Sequence, residues 1–266
     1  MAKITVPFVP ALANCPTGAK LARTSRISME PLYEGKSKRL YPSENPNELV
    51  MEFKNDATAY NAAKHAVFEE KGRLNRAISS LIYQLLEEEG VATHFVRGLD
   101  DTKVVVHRVE IIGIEVIVRN VAAGSFCKRT GVEEGRVFGS PVIEFSLKDD
   151  ALGDPLINDD YIRELAIATP QELKWLRESA LKVNDLLGAF FLKAGMRLVD
   201  FKLEYGRLAA DPATIVLADE ISPDGCRLWD VATGEKMDKD RFRRDLGQVM
   251  EKYAEVLQRA RHALEN

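Results

Sequence analysis

The sequence predicts an α+β protein with a sheet-rich N-terminal part and a mixed α/β C-terminal part. Three observations lead there. Strand-like apolar runs crowd residues 32–122, long helical stripes dominate after residue 160, and the bulk composition is that of an ordinary globular protein. The 266 residues are 45% hydrophobic and 29% charged, enough to bury a large core as one domain or as two closely packed lobes. A net charge of −4 with scattered Lys and Arg gives no basic footprint for nucleic acid. No run approaches the roughly 18 apolar residues of a membrane span. Cys15, Cys127 and Cys226 are far apart without a CxxC pair, and His65, His94, His107 and His262 are scattered. Neither a disulfide framework nor a zinc site is expected, and a reducing, cytoplasmic setting fits.

Taken in order, residues 1–28 hold three prolines, several Lys and Arg and no acidic residue. That basic, Ser/Thr-bearing composition leaves an organelle transit peptide open. A disordered extension upstream of Met29 is the simpler expectation. "LYEGKSKRLY" (32–41) reads as a hairpin around Gly35, "ELVMEFK" as a strand, and "NDATAYNAAKH" as a polar stretch. "GRLNRAISSLIYQLLEEEG" places Leu74, Ile78, Leu81, Ile82 and Leu85 at helical spacing and stops at Gly90. "THFVRGL", "TKVVVHRVE" and "IEVIVRNVA" are strands. An N-terminal lobe over 29–112 and a C-terminal lobe over 113–266 follow from this change of character. In the latter, "TPQELKWLRESALKVNDLLGAFFLKAG" opens with a capping box, Thr169 as N-cap and Glu172 reaching back, with Pro170 at the first helical position. Two short strands and a turn follow. A final amphipathic helix over 240–264 buries Phe242, Leu246, Val249, Tyr253 and Leu257.

Chemistry concentrates in five short stretches. In "VDFKLEYG" (199–206), Val199, Phe201, Leu203 and Tyr205 share one strand face, and Asp200, Lys202 and Glu204 share the other. A solvated face is the cheap explanation. Against it, "TIVLADEIS" (214–222), which starts 15 residues after Val199, breaks its apolar pattern with Asp219 and Glu220. Glu204 and Asp219 on paired strands are hard oxygen ligands suited to Mg²⁺, which uses one or two carboxylates plus substrate phosphates. Gly35, Lys36 and Ser37 mimic the end of a Walker A loop, but position 30 is Glu30 and no helix follows, so that motif fails. A glycine hairpin with two lysines still suits phosphate. In "VRNVAAGSF" (118–126), Arg119 offers a fork for phosphate or carboxylate, Ser125 a hydroxyl, and Gly124 a place of close backbone approach. "ISPDGCRLWD" adds Arg227. Lysines in a glycine hairpin, a carboxylate pair and arginines point to ATP chemistry between two lobes.

Read together, "LYEGKSKRLY", "FKNDATAYNAAK", "VIVRNVAAGSFCKRTGVEEG", "LVDFKLEYG" and "LADEISPDGCRLWD" resemble the SAICAR synthetase family (phosphoribosylaminoimidazole-succinocarboxamide synthases) from Leu32 to the C-terminus. The resemblance implies a two-lobed, ATP-grasp-like fold and a ligase of de novo purine biosynthesis. Its reaction joins L-aspartate to the carboxylate of the imidazole nucleotide CAIR, giving SAICAR, ADP and phosphate. It implies ATP and Mg²⁺ as co-substrate and cofactor, with Gly35, Lys36, Ser37, Lys38, Lys148, Glu204 and Asp219 around ATP. Glu204 and Asp219 resemble the metal pair, and Arg119, Ser125 and Arg227 the groups that hold CAIR. Asp200 and Lys202, on the face of Glu204, are the catalytic candidates. Two departures stand out: "GDP" (153–155) where the family often has His-Asp-Pro, and Arg76 where it often has a second Asn. The alternative is another ATP-dependent small-molecule kinase or ligase of related two-lobed fold. A homodimer is expected, through apolar strands of the N-terminal lobe.

Overall fold

A computed structural model describes residues 30–59 and 63–265, so the expected extension over 1–28 lies outside the described residues. β1 (Tyr33–Glu34) and β2 (Lys38–Pro42) form the Gly35 hairpin, and β3 (Glu48–Phe53) pairs with β2. The polar stretch that follows is itself a small ribbon, β4 (Asp56–Ala59) against β5 (Lys64–Val67). After α1 (Lys71–Glu88), β6 (Phe95–Gly98) and β7 (Lys103–His107) complete a five-stranded antiparallel sheet in the order β1-β2-β3-β7-β6. Leu74, Ile78 and Ile82 of α1 are buried, as their spacing requires.

The second sheet begins at once. β8 (Val109–Val121) leads through α2 (Ser125–Thr130) to β9 (Val137–Leu147) and β10 (Leu156–Ile157). Then come α3 (Asp159–Glu164), α4 (Pro170–Lys193), β11 (Met196–Leu208), β12 (Ile215–Ala218) and β13 (Cys226–Asp230). The order is β10-β9-β8-β11-β12, with β13 pairing the first half of β11 on the edge whose second half holds β12. β9 has no counterpart in the sequence reading. The expected lobe boundary at 112/113 falls inside β8, which is continuous; the change of sheet comes at Arg108.

The capping box of α4 forms in full. Thr169 Oγ1 accepts the Glu172 N–H (3.2 Å), and Glu172 accepts the Thr169 N–H (2.7 Å). Leu173, Leu176, Ala180, Val183, Leu187 and Phe191 of its inner stripe enter the main apolar core, which runs from Met51 to Ala263. Each large side chain there contributes roughly 1.5–3 kcal/mol. The sheets also touch directly: the His94 N–H donates to Leu217 O (2.8 Å) and the Leu217 N–H to Ala92 O (3.0 Å).

Two details correct the sequence reading. The terminal helix is broken into α5 (Asp240–Arg243) and α6 (Val249–Glu265), with Asp245, Gly247 and Gln248 at φ 56, 71 and 51°. Leu246 lies in that break and is exposed, whereas Phe242, Val249, Tyr253 and Leu257 are buried. An isolated glycine within a helical stripe marked the spot. Val199 does not share the face of Phe201. A register shift between Leu198 and Asp200 turns it toward Val121 and Ala123, while Leu198 and Phe201 point into the main core.

Candidate active site

β11 lies between β8 on one side and β12 and β13 on the other, and carries the polar face that its alternation announced. That face is not solvated: Asp200 and Glu204 are 3% and 4% exposed. Charged groups from other segments cover it in two clusters.

The first surrounds Glu204. Lys148 Nζ (2.6 Å) and Lys202 Nζ (3.0 Å) both reach Glu204 Oε1, and Lys202 also bonds Glu115 Oε1 at 2.6 Å. Glu115 lies opposite Glu204 in the β8–β11 register. Ala218 lies opposite Glu204 on β12, so Asp219 follows one residue beyond the strand. Asp219 adopts a left-handed backbone, φ 64°, and pairs with Lys38, which also bonds Glu220 Oε1 at 2.9 Å. Burial alone would raise the Asp219 carboxyl, but Lys38, Lys202 and Lys148 outweigh it and hold it well below the usual carboxylate range. Burial likewise opposes the charge on Lys202, and Glu204 and Glu115 restore it, leaving the ammonium firmly protonated. Glu115 moves up, because burial exceeds the help of Lys202. Lys36, at the tip of the glycine hairpin, bonds Asp150 Oδ1 at 2.6 Å in the open. Ser37 O accepts the Lys54 N–H at 2.8 Å, which fixes the hairpin to the end of β3.

The second cluster surrounds Asp200. Arg119 Nη1 (2.7 Å) and Arg227 Nη1 (2.9 Å) both donate to Asp200 Oδ2. Arg119 also donates to Glu144 (2.8 Å) and to Ser125 Oγ (3.1 Å), and Arg227 Nε to Asp240 Oδ2 (3.0 Å). Arg129 joins Glu144 at 2.5 Å and Arg243 joins Asp240 at 2.6 Å. Asp240 is held down to about 2; burial opposes this, and Arg227 and Arg243 prevail. Gly124 has φ 54° and ψ −124°, a region open to glycine alone. A Cβ there would stand 2.4 Å from Arg227 Nη2, so what approaches the Gly124 backbone closely is the guanidinium of Arg227.

Charge distinguishes the clusters. In the first, three ammonium groups (Lys38, Lys148, Lys202) face four carboxylates (Glu115, Glu204, Asp219, Glu220). In the second, five guanidinium groups (Arg119, Arg129, Arg227, Arg243, Arg244) pair with three carboxylates (Asp200, Glu144, Asp240), Arg244 being shared with Glu134. The second suits an anion directly. The first can accept a polyphosphate only together with added positive charge, and its carboxylates are the donors a hard divalent cation takes. Among the described residues no group of three or more His, Cys, Asp or Glu is placed to hold a metal by itself.

Comparison with known proteins decides the family. The sequence pattern of SAICAR synthetases matches residues 31–260. The phosphoribosylaminoimidazole-succinocarboxamide synthase of Akkermansia muciniphila is 62% identical over 231 residues, 87% of this chain and 98% of that protein. That of Deinococcus radiodurans is 56% identical over 230 residues, 86% and 96%. The chain belongs to the SAICAR synthetase family. The crystal structure of the Ehrlichia chaffeensis synthase superposes with TM-score 0.86 at 44% identity, covering 87% of this chain and 98% of that one. A SAICAR synthetase in complex with ADP gives TM-score 0.82 at 44% identity, covering 86% and 96%. The fold is thus the α+β SAICAR synthetase fold, and the protein is an ATP-dependent ligase of purine biosynthesis.

Of the residues singled out in this synthetase sequence, Lys38, Lys148, Lys202, Glu204 and Asp219 meet in one cluster and Arg119, Ser125, Asp200 and Arg227 in the other. Gly35, Lys36 and Ser37 lie on the hairpin that carries Lys38. The structure adds several residues to these. Glu115 is missed because its role comes from register opposite Glu204. Glu144 is missed with its strand, β9. Asp238 and Asp240 look like the solvated start of a helix but are fully buried. His94 is missed as a lone histidine; its Nε2 lies 3.1 Å from Asp219 O.

Proposed function

We propose that the two clusters on β11 are the nucleotide and acceptor halves of one site, and that the enzyme joins L-aspartate to the carboxylate of CAIR. The observation that carries this is their opposite residual charge on a single strand face. At the Glu204 end, the hairpin residues Gly35, Lys36, Ser37 and Lys38 cover the phosphates of ATP, and Lys148 neutralises them. Glu204 and Asp219 would hold Mg²⁺, which when bound supplies the positive charge this cluster lacks. Arg119, Ser125 and Arg227 hold the phosphate and carboxylate of CAIR, and Asp200 sets the distance between the two guanidinium groups. Lys202 stands between the halves, close to the reacting oxygens.

The chemistry then needs placement more than covalent help. A CAIR carboxylate oxygen attacks the γ-phosphorus and ADP leaves, giving an acyl phosphate. The amine of L-aspartate attacks the acyl carbon, phosphate departs, and the amide nitrogen gives up a proton. Lys202 and Lys148 stabilise the charge that gathers on the transferred phosphoryl group. The five-stranded sheet forms the N-terminal lobe in this reading, with the boundary at Arg108. A cytoplasmic homodimer belongs to the same proposal; Cys127 and Cys226 are both free thiols.

A coupled assay of ADP release tests it. Sustained release is expected only with CAIR and L-aspartate together. Release with CAIR alone at the same rate would make the protein a kinase and remove the ligase assignment.

A further inference from the structure

Asp238 lies between β13 and α5 and has no place in the mechanism above. It is fully buried and forms no ion pair among the described residues. Both of its oxygens go to the backbone instead. Oδ2 accepts the Leu228 N–H at 2.9 Å and Oδ1 the Asp240 N–H at 2.7 Å. The first donor belongs to the residue after Arg227, and the second to the residue whose carboxylate receives Arg227 Nε at 3.0 Å. One side chain therefore sets the distance between the strand that carries Arg227 and the turn that carries its partner. Neighbouring backbone bonds brace the same turn: the Met237 N–H donates to Leu228 O (2.8 Å) and the Lys239 N–H to Pro223 O (3.0 Å).

An unpaired buried carboxylate is a poor device for stability, because desolvating its charge costs more than two backbone bonds return. Burial and the adjacent Asp240 push its carboxyl up to about 7. We infer that Asp238 is a positioning residue for substrate recognition: through the N–H groups of Leu228 and Asp240 it aligns the Arg227–Asp240 pair on Asp200, and so sets affinity for the anionic imidazole substrate without touching it. This rests on the assignment of Arg227 to that substrate.

The test is a kinetic cycle of Asp238→Asn, Arg227→Ala and the double variant, with Asp230→Asn as a control for stability alone. Asp230 is another buried carboxylate of β13, bonded to the turn at 232–233 and to Arg259. Asp238→Asn should raise the KM for CAIR about tenfold, the loss of one buried backbone hydrogen bond. Its kcat and its KM for ATP should stay within about twofold of the parent. In the Arg227→Ala background the same change should add less than about twofold, since a residue acting through Arg227 has nothing left to act on. Asp230→Asn should lower Tm and leave both KM values alone. An unchanged KM for CAIR in Asp238→Asn, equal rises for CAIR and ATP, or an undiminished effect in the double variant would each overturn the inference. If Arg227→Ala itself leaves the KM for CAIR unchanged, the parent assignment fails first. Should Asp238→Asn not fold, Asp238→Ser keeps one acceptor and carries the same cycle.

Discussion

His94 gives the sharpest test of how the structure is held together beside the Glu204–Asp219 cluster. Its ring is 3% exposed, lies edge-on to Tyr83 with centroids 5.4 Å apart, and has Nε2 3.1 Å from Asp219 O. A carbonyl partner requires the proton on Nε2, so the neutral ring already satisfies this contact. Burial is the main reason that its pKa falls from 6.5 to about 4; Asp219 pulls the other way and Lys38 adds to the fall. The sign follows. Below pH 6.5 the unfolded chain takes up a proton that the folded protein refuses until about pH 4, so stability is lost as pH falls through that window. The loss amounts to about 1.4 kcal/mol by pH 5.5 and about 3 kcal/mol at pH 4.

His94→Gln keeps an N–H donor for the Asp219 carbonyl and cannot titrate. Urea unfolding at pH 8 and pH 5.5, followed by tryptophan fluorescence, measures the pH-dependent loss in each protein. The two chains share every other titrating group, so the difference between their losses isolates His94. The parent should lose about 1.4 kcal/mol more than the variant between these pH values. Equal losses would mean that His94 protonates at its ordinary pH. The packing of Tyr83, His94 and the left-handed Asp219 turn would then be wrong as described.

Three further predictions bear on the site. Gly124→Ala forces a Cβ to 2.4 Å from Arg227 in a backbone region reserved for glycine; it should raise the KM for CAIR with little change for ATP, at a cost of about 1–3 kcal/mol in urea unfolding. Arg119→Ala and Arg227→Ala each remove charge-assisted bonds of about 1.5–3 kcal/mol. Direct binding should show CAIR weakened on the order of 10- to 100-fold and ATP nearly untouched, and equal losses for both ligands would show the arginines misassigned. Glu204→Gln and Asp219→Asn keep size and shape but remove the charge a hard cation requires. A magnesium titration should show turnover depressed at every concentration, unrecovered by saturating CAIR, and near-normal turnover in both would remove the metal assignment.

How much of this was legible in the sequence follows from which forces act along the chain and which act across it. The stripes of α1 and α4, the capping box at Thr169 and the alternation of β11 are local. Their periods are set by backbone geometry, so the residues announce them. Whether the polar face of β11 meets water or other side chains is not local, because it depends on what covers the sheet. Here Lys38, Lys148, Arg119 and Arg227 come from β2, the loop after β9, β8 and β13, and they converge on Asp200, Glu204 and Asp219. No pattern within residues 199–206 could distinguish that cover from solvent. Only the coincidence of several short motifs, each ambiguous alone, made an inward face the better reading.

The same reasoning explains the acidic pair near the C-terminus. "MDKDR" reads as a helix start in water, yet Asp238 and Asp240 are fully buried. The chain breaks at Asp245–Gln248, which separates α5 from α6 and lets the short helix turn its N-terminal carboxylates toward β13. Gly247 is a local weak point in that stripe, while Asp240 pairs with Arg227, a strand away, whose guanidinium shares Asp200 with Arg119. A charge buried between two elements is thus read from its partner, and the partner is known only when the sheet has formed. Sequence patterns reveal the scaffold and the candidate groups, while the pairing that gives those groups a function is a property of the folded sheet.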